Sequence, residues 1–84
     1  MSDVLKDQVA IITGGAGGIG SRIARAFAAA GAKVVIASRS QEKLDKVVMS
    51  LNADGFEAIA VATDVTKPAD VTHMVSRTVE AFGG

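Results

Sequence analysis

Apolar residues along this chain follow two alternating patterns. Three short runs, Gln8 to Thr13, Lys33 to Ser38 and Glu57 to Thr63, are rich in Val, Ile and Ala without clean polar alternation, as strands buried on both faces are. Between and after them the apolar positions step by threes and fours. Ile19, Ile23, Ala26, Phe27 and Ala30 form one helical stripe that stops at Gly31, a residue suited to the left-handed turn that ends a helix. A second stripe, Leu44, Val47, Val48 and Leu51, starts at Ser40, whose hydroxyl is expected to cap free N–H groups, and stops at Gly55. The third, Val71, Met74, Val75, Val79 and Phe82, begins after Thr66 with Pro68 tolerated in its first turn and ends at Gly83 and Gly84.

Strand, helix, strand, helix, strand, helix with short connections predicts an α/β chain with parallel strands joined by right-handed crossovers. The expected architecture is a partial, three-layer Rossmann-type fold, βαβαβα, with strand order 3-2-1. Its first two helices belong on one face of the sheet. The third should cross to the other face and lead toward a fourth strand beside the first. Residues 1–84 therefore read as a single partial dinucleotide-binding domain cut before that strand, with the first strand as an unpaired apolar edge that invites association.

The chemistry lies in the turns after the strands. Residues 13 to 20, Thr-Gly-Gly-Ala-Gly-Gly-Ile-Gly, join a buried strand to an amphipathic helix. Without Cβ atoms, such a turn lets a pyrophosphate approach backbone N–H groups at the positive end of the helix. Two glycine registers overlap here, Gly15-Gly17-Gly20 and Gly14-Gly18-Gly20. A turn that begins directly after Thr13 favours Gly14 as the turn glycine. After the second strand come Ser38 and Arg39, where a carboxylate would accept from the 2′-OH of NAD. A guanidinium instead suits a 2′-phosphate, which points to NADP over NAD. The alternative for Arg39 is a solvated loop charge. Asp64, after the third strand, reads from physics equally well as a turn cap or as a ligand group.

The segment from Thr13 to Gly20 resembles the nucleotide loop Thr-Gly-x-x-x-Gly-Ile-Gly of the short-chain dehydrogenase/reductase family, matching at Thr13, Gly14, Gly18, Ile19 and Gly20. The resemblance continues through Gly31 and through Asp64-Val65. It implies Gly14, Ser21 or their neighbours near the phosphates and Ile19 against the nicotinamide side. It also implies Asp64 at the adenine amino group, with the Val65 backbone supporting the ring. A basic residue often found in the family just before the middle glycine is replaced here by Gly17. The resemblance further implies a parent enzyme that moves hydride between NADP(H) and a carbonyl or alcohol, using a serine, a Tyr-x-x-x-Lys pair and an Asn that normally lie beyond residue 84.

Composition removes several other classes. The chain has 84 residues, 49% apolar and 21% charged, with a formal net charge of zero. That balance fits a globular chain and offers no basic surplus for nucleic acid. The absence of cysteine excludes disulfides and thiolate chemistry, and no apolar run approaches membrane-spanning length, so a cytoplasmic location is expected. No catalytic residue is assigned, because the chain has no tyrosine to serve as the family's proton donor. His73, alone on the third helix, reads as a surface residue. Glu42, Lys43, Asp45 and Lys46 read as a solvated face with local ion pairs. The other reading of the whole is an autonomous, non-catalytic module that binds a dinucleotide or associates with itself through the first strand's edge.

Overall fold

Branched side chains stand well on a pleated, two-sided surface, and the three Val- and Ile-rich runs form one parallel sheet in the order β1-β2-β3. The computed structural model describes residues 5–14 and 18–83. Its elements are β1 (Val9–Thr13), α1 (Gly18–Ala29), β2 (Lys33–Ser38), α2 (Gln41–Ala53), β3 (Ala58–Ala62) and α3 (Pro68–Phe82). The order matches the 3-2-1 expectation read from the opposite edge. The ladder also extends past the strand ends, because Lys33 N–H donates to Gln8 O, Val34 N–H to Glu57 O and Thr63 N–H to Ser38 O. Register pairs Thr13 with Ala37 and Ser38 with Ala62. The three strands therefore end almost level, and their outgoing turns share one rim.

Side chains alternate across the sheet and build two cores. Ile12, Val34, Ile36 and Ala58 face α1 and α2, where they meet Ala24, Ala28, Leu44 and Leu51. Val35, Ala37 and Val61 face the other way and meet Met74, with Val71 and Phe82 packed alongside. This is the three-layer arrangement expected, with α3 crossing to the second face. Ile36, Leu44, Leu51, Val34 and Val35 are the largest fully buried side chains, each worth about 1.5–3 kcal/mol of transfer free energy.

The helices turn differently from the predicted stripes. In α1 the sheet is met by Ala24 and Ala28, which are 0% and 5% exposed, whereas Ile23 and Phe27 are 42% and 39% exposed and Ala26 is exposed too. Small side chains let the helix axis approach the strands closely, so the larger apolar residues lie on its flank. The side chain of Ile19 lies outside the described residues. In α3, Met74 and Thr78 are buried while Val75 and Val79 are 48% and 52% exposed. Thr78 is tolerated inside because its hydroxyl donates to Met74 O at 2.8 Å. In α2, Leu44 and Leu51 are buried with Val47 and Val48 half-buried, as their spacing predicts.

Two local expectations are corrected. Ser40 occupies the N-cap position of α2, but its hydroxyl makes no capping hydrogen bond; instead its N–H donates to Ser38 Oγ at 3.3 Å. The ion pairs among the described residues are Arg25–Asp54 and Lys33–Glu57, not pairs within α2. On α2 the Asp45 carboxylate accepts from Gln41 Nε2 at 2.7 Å. Fully solvated pairs of long side chains gain too little to fix one geometry.

Candidate functional site

Because the strands end level, the turns after β1, β2 and β3 surround one cleft of ≈ 410 Å³. Thr13 and Gly14 line it from the first turn, Ala37, Ser38 and Arg39 from the second, and Thr63 to Thr66 from the third. Six residues singled out in the sequence, Thr13, Gly14, Ser38, Arg39, Asp64 and Val65, are thus brought together. The cleft lies outside the carboxyl ends of a parallel sheet, where α/β folds take their ligands.

Gly14 makes the first turn, as the favoured register requires. Its φ is 70°, a left-handed value costly for residues with a Cβ, and its N–H donates to Ala37 O at 2.7 Å. Gly18 opens α1, and a Cβ built there would meet nothing within 4 Å. Packing against the described residues therefore does not demand glycine at that position. Gly20, half-buried, lies one turn before Ala24 and is on the same side of α1. Gly15 and Gly17 of the competing register lie outside the described residues. The Ser21 hydroxyl donates to Gly18 O at 3.0 Å, and Ser21 lines a crevice between α1 and α2.

On the second turn, Arg39 is exposed, with no carboxylate within ion-pairing distance among the described residues. Ser38 Oγ accepts from Ser40 N–H and keeps its own proton for donation. On the third turn, Asp64 is tied down at several atoms. Its Oδ1 accepts from Thr66 Oγ1 at 2.6 Å and from Thr66 N–H at 3.0 Å, and its carbonyl accepts from Lys67 N–H at 2.9 Å. Its own N–H donates to Asp70 Oδ2 at 2.9 Å. The two Thr66 hydrogen bonds, the hydroxyl first, hold the Asp64 carboxyl below its ordinary value of 3.8; burial opposes them, and the charges of Arg39 and Lys67 add smaller lowering effects. The turn-cap role is therefore real, and it uses only Oδ1. Among the described residues, Asp64 Oδ2 and the N–H of Val65 have no hydrogen-bond partner.

A level-ended parallel sheet, a left-handed glycine after β1 and a ligand-sized cleft across three strand tips are general to nucleotide-binding α/β folds. Comparison with known proteins narrows this. The family model for short chain dehydrogenases matches residues 8–84. The chain belongs to the short chain dehydrogenase family. It is 47% identical over 79 residues to an uncharacterized oxidoreductase of Mycobacterium tuberculosis, covering 94% of this chain and 30% of the relative. It is 43% identical over 84 residues to the 2,5-dichloro-2,5-cyclohexadiene-1,4-diol dehydrogenase of Sphingobium indicum, covering 100% and 34% of the two chains. Among solved structures, a short chain dehydrogenase/reductase from Burkholderia phymatum in complex with NAD superposes with a TM-score of 0.90 at 38% identity, covering 95% of this chain and 28% of that one. The chain thus spans about a third of the length of these relatives, as an N-terminal, partial cofactor-binding domain of the family.

A nicotinamide dinucleotide fits the residues of this short chain dehydrogenase segment. The left-handed Gly14 and the open space above Gly18 leave room for phosphate, and Arg39 is available as a cation. The third turn presents an acceptor at Asp64 Oδ2 beside a donor at Val65 N–H. Among the described residues there is no cluster of three or more His, Asp or Glu for a metal, and no helix is long and apolar enough to cross a membrane. His73 is exposed on α3 and does not line the cleft. Thr66 lines the cleft and Asp70 supports its third turn from outside, and the sequence reading singled out neither for the site. Their signals were present: Asp-x-Thr is an Asx-turn pattern, and an acidic residue two places after a helix-opening Pro sits where free N–H groups gather.

Proposed function

We propose that this chain is the NADP(H)-binding segment of a short-chain dehydrogenase/reductase whose whole transfers hydride between NADP(H) and a carbonyl or alcohol. The observation that carries the reading is the single cleft joining Thr13, Gly14, Ser38, Arg39, Asp64 and Val65. The bound dinucleotide supplies the hydride chemistry, and the residues here bind and orient it. The pyrophosphate lies against the turn at Gly14 and Gly18 and the N-terminus of α1, with Gly20 allowing close packing and Ile19 toward the nicotinamide. Arg39 and Ser38 receive a ribose 2′-phosphate, which a guanidinium binds through charge-assisted hydrogen bonds. Asp64 Oδ2 accepts from the adenine amino group while Val65 N–H donates to the ring, matching the donor and acceptor edge of that base. The Burkholderia phymatum relative was crystallised with NAD, so family membership leaves the choice of dinucleotide to Ser38 and Arg39. With no tyrosine, this chain alone is expected to show no turnover.

Fluorescence titration tests this cleanly, because a chain without tryptophan or tyrosine adds no aromatic background to NADPH emission. NADPH is expected to bind roughly tenfold or more tighter than NADH, the scale of a hydrogen bond to a charged group. Arg39→Gln should abolish the difference, and Gly18→Val should weaken both cofactors while the fold persists. Equal affinities for the two cofactors in the unaltered chain would reject the role given to Arg39. A second reading, a self-associating module, is favoured by exposed Ile11, Val75 and Val79 around the β1 edge.

A further inference from the structure

The turn after β3 is held by a residue outside the cleft. Thr63 N–H closes the ladder on Ser38 O at 2.7 Å, and Asp64 N–H is the next donor along the chain. No strand carbonyl receives it. Asp70, in the first turn of α3, reaches back so that its Oδ2 accepts that N–H at 2.9 Å. On the far side of the same residue, Oδ1 and the carbonyl of Asp64 are occupied by Thr66 and Lys67. Together these bonds fix the peptide plane before Asp64, the side-chain rotation of Asp64 and the path into α3. What remains unbonded among the described residues is Asp64 Oδ2 and Val65 N–H, both on the stretch that lines the cleft.

We infer that Asp70 is a positioning residue for the adenine end of the cleft: by accepting the Asp64 N–H it presets the acceptor and donor pair offered by Asp64 and Val65. This rests on the reading that Asp64 and Val65 meet adenine. The bonds that hold this turn are made within the chain, so its ordering belongs to folding. Asp70 does not line the cleft and needs no contact with the nucleotide. Its carboxylate also lies at the positive end of the α3 dipole, and that contribution must be separated from the hydrogen bond.

Two substitutions and two probes make the separation. Adenosine 2′,5′-bisphosphate carries the adenine, the ribose and the 2′-phosphate, whereas inorganic pyrophosphate reports on the glycine turn alone. In the full chain, the bisphosphate should shift the amide resonances of Asp64 and Val65. Asp70→Ala should weaken bisphosphate binding about tenfold, the loss expected for a charge-assisted hydrogen bond, and leave pyrophosphate binding unchanged. It should speed amide exchange at Asp64, Val65 and Thr66 while Val35 and Val61 stay protected, which certifies an intact sheet. Asp70→Asn removes the charge and keeps an acceptor oxygen, so it should recover part of the lost affinity through a neutral hydrogen bond to the Asp64 N–H. Unchanged bisphosphate affinity in Asp70→Ala overturns the positioning role alone. Equal losses in Asp70→Ala and Asp70→Asn assign the effect to helix charge and overturn it as well. If the bisphosphate leaves Asp64 and Val65 unshifted in the unaltered chain, the adenine reading fails and the inference falls with it.

Discussion

The two carboxylate oxygens of Asp64 lie in different surroundings, one bonded and one unbonded among the described residues. Oδ1 is given to Thr66 and shapes the turn, which lowers the carboxyl's proton affinity chiefly through the Thr66 hydroxyl and then its N–H. A group whose native value is depressed binds its proton less readily than the unfolded chain does, so it favours the fold above 3.8 and loses that contribution as pH falls through the native value. Carbon-detected titration should therefore give Asp64 a midpoint below 3.8, and Thr66→Val, which keeps the N–H and deletes the hydroxyl, should move it up toward the ordinary value. A midpoint at or above 3.8 in the unaltered chain contradicts the turn geometry. Binding of NADH, which lacks the 2′-phosphate, should accordingly be flat with respect to Asp64 from about pH 5 upward. The position of Asp64 was legible because it follows a buried strand. The division of its oxygens was not, since it depends on where α3 returns Asp70. Gly14 was legible for a simpler reason: a turn that starts directly after Thr13 leaves one residue to take the left-handed conformation.

At the level of elements, periodicity located all three helices but misjudged which side of α1 faces the sheet, and on α3 it counted Val75 and Val79 as inward beside Val71, Met74 and Phe82, which do pack there. A hydrophobic stripe is read by size, and in α1 the size rule picks Ile23 and Phe27. Close packing of a helix on a sheet selects the opposite property, and Ala24 and Ala28 form the contact. The ambiguity is physical, since alanine scores weakly as apolar yet allows the closest helix approach. Ala24→Leu, an increase in hydrophobicity, is therefore expected to destabilise the chain by roughly 1–3 kcal/mol through overpacking, whereas Ile23→Ala at a partly exposed site should cost less. Chemical denaturation of the two variants checks this, and a stabilised Ala24→Leu would show that α1 does not sit on its small face. The Ser40 cap failed for a related reason. A serine two residues earlier, Ser38, lies within reach of the Ser40 N–H, and no pattern in the sequence ranks one hydroxyl above the other.

Across the whole molecule, several apolar residues of β1 and α3 collect along one flank. Val9 and Ile11 of β1 and Val75, Val79 and Phe82 of α3 line a groove of ≈ 490 Å³, with Ile11 40% exposed. Beside it, β1 is bonded to β2 alone among the described strands. Unpaired backbone next to an apolar groove is a template for another strand. In a family whose relatives are about three times longer, such a flank is where more of a parent fold can close the sheet. For the chain by itself, the same physics favours a second copy, two β1 edges pairing across a two-fold axis. Sedimentation should then reveal dimers or larger species that grow with concentration, and Ile11→Lys should return the chain to monomer by placing a charge on the edge. Cofactor binding in that variant should persist, because Ile11 lines the flank and the cleft proposed for the nucleotide lies at the strand tips. A monomer at every concentration would remove the self-associating module as a reading, while leaving the cleft and its proposed nucleotide untouched.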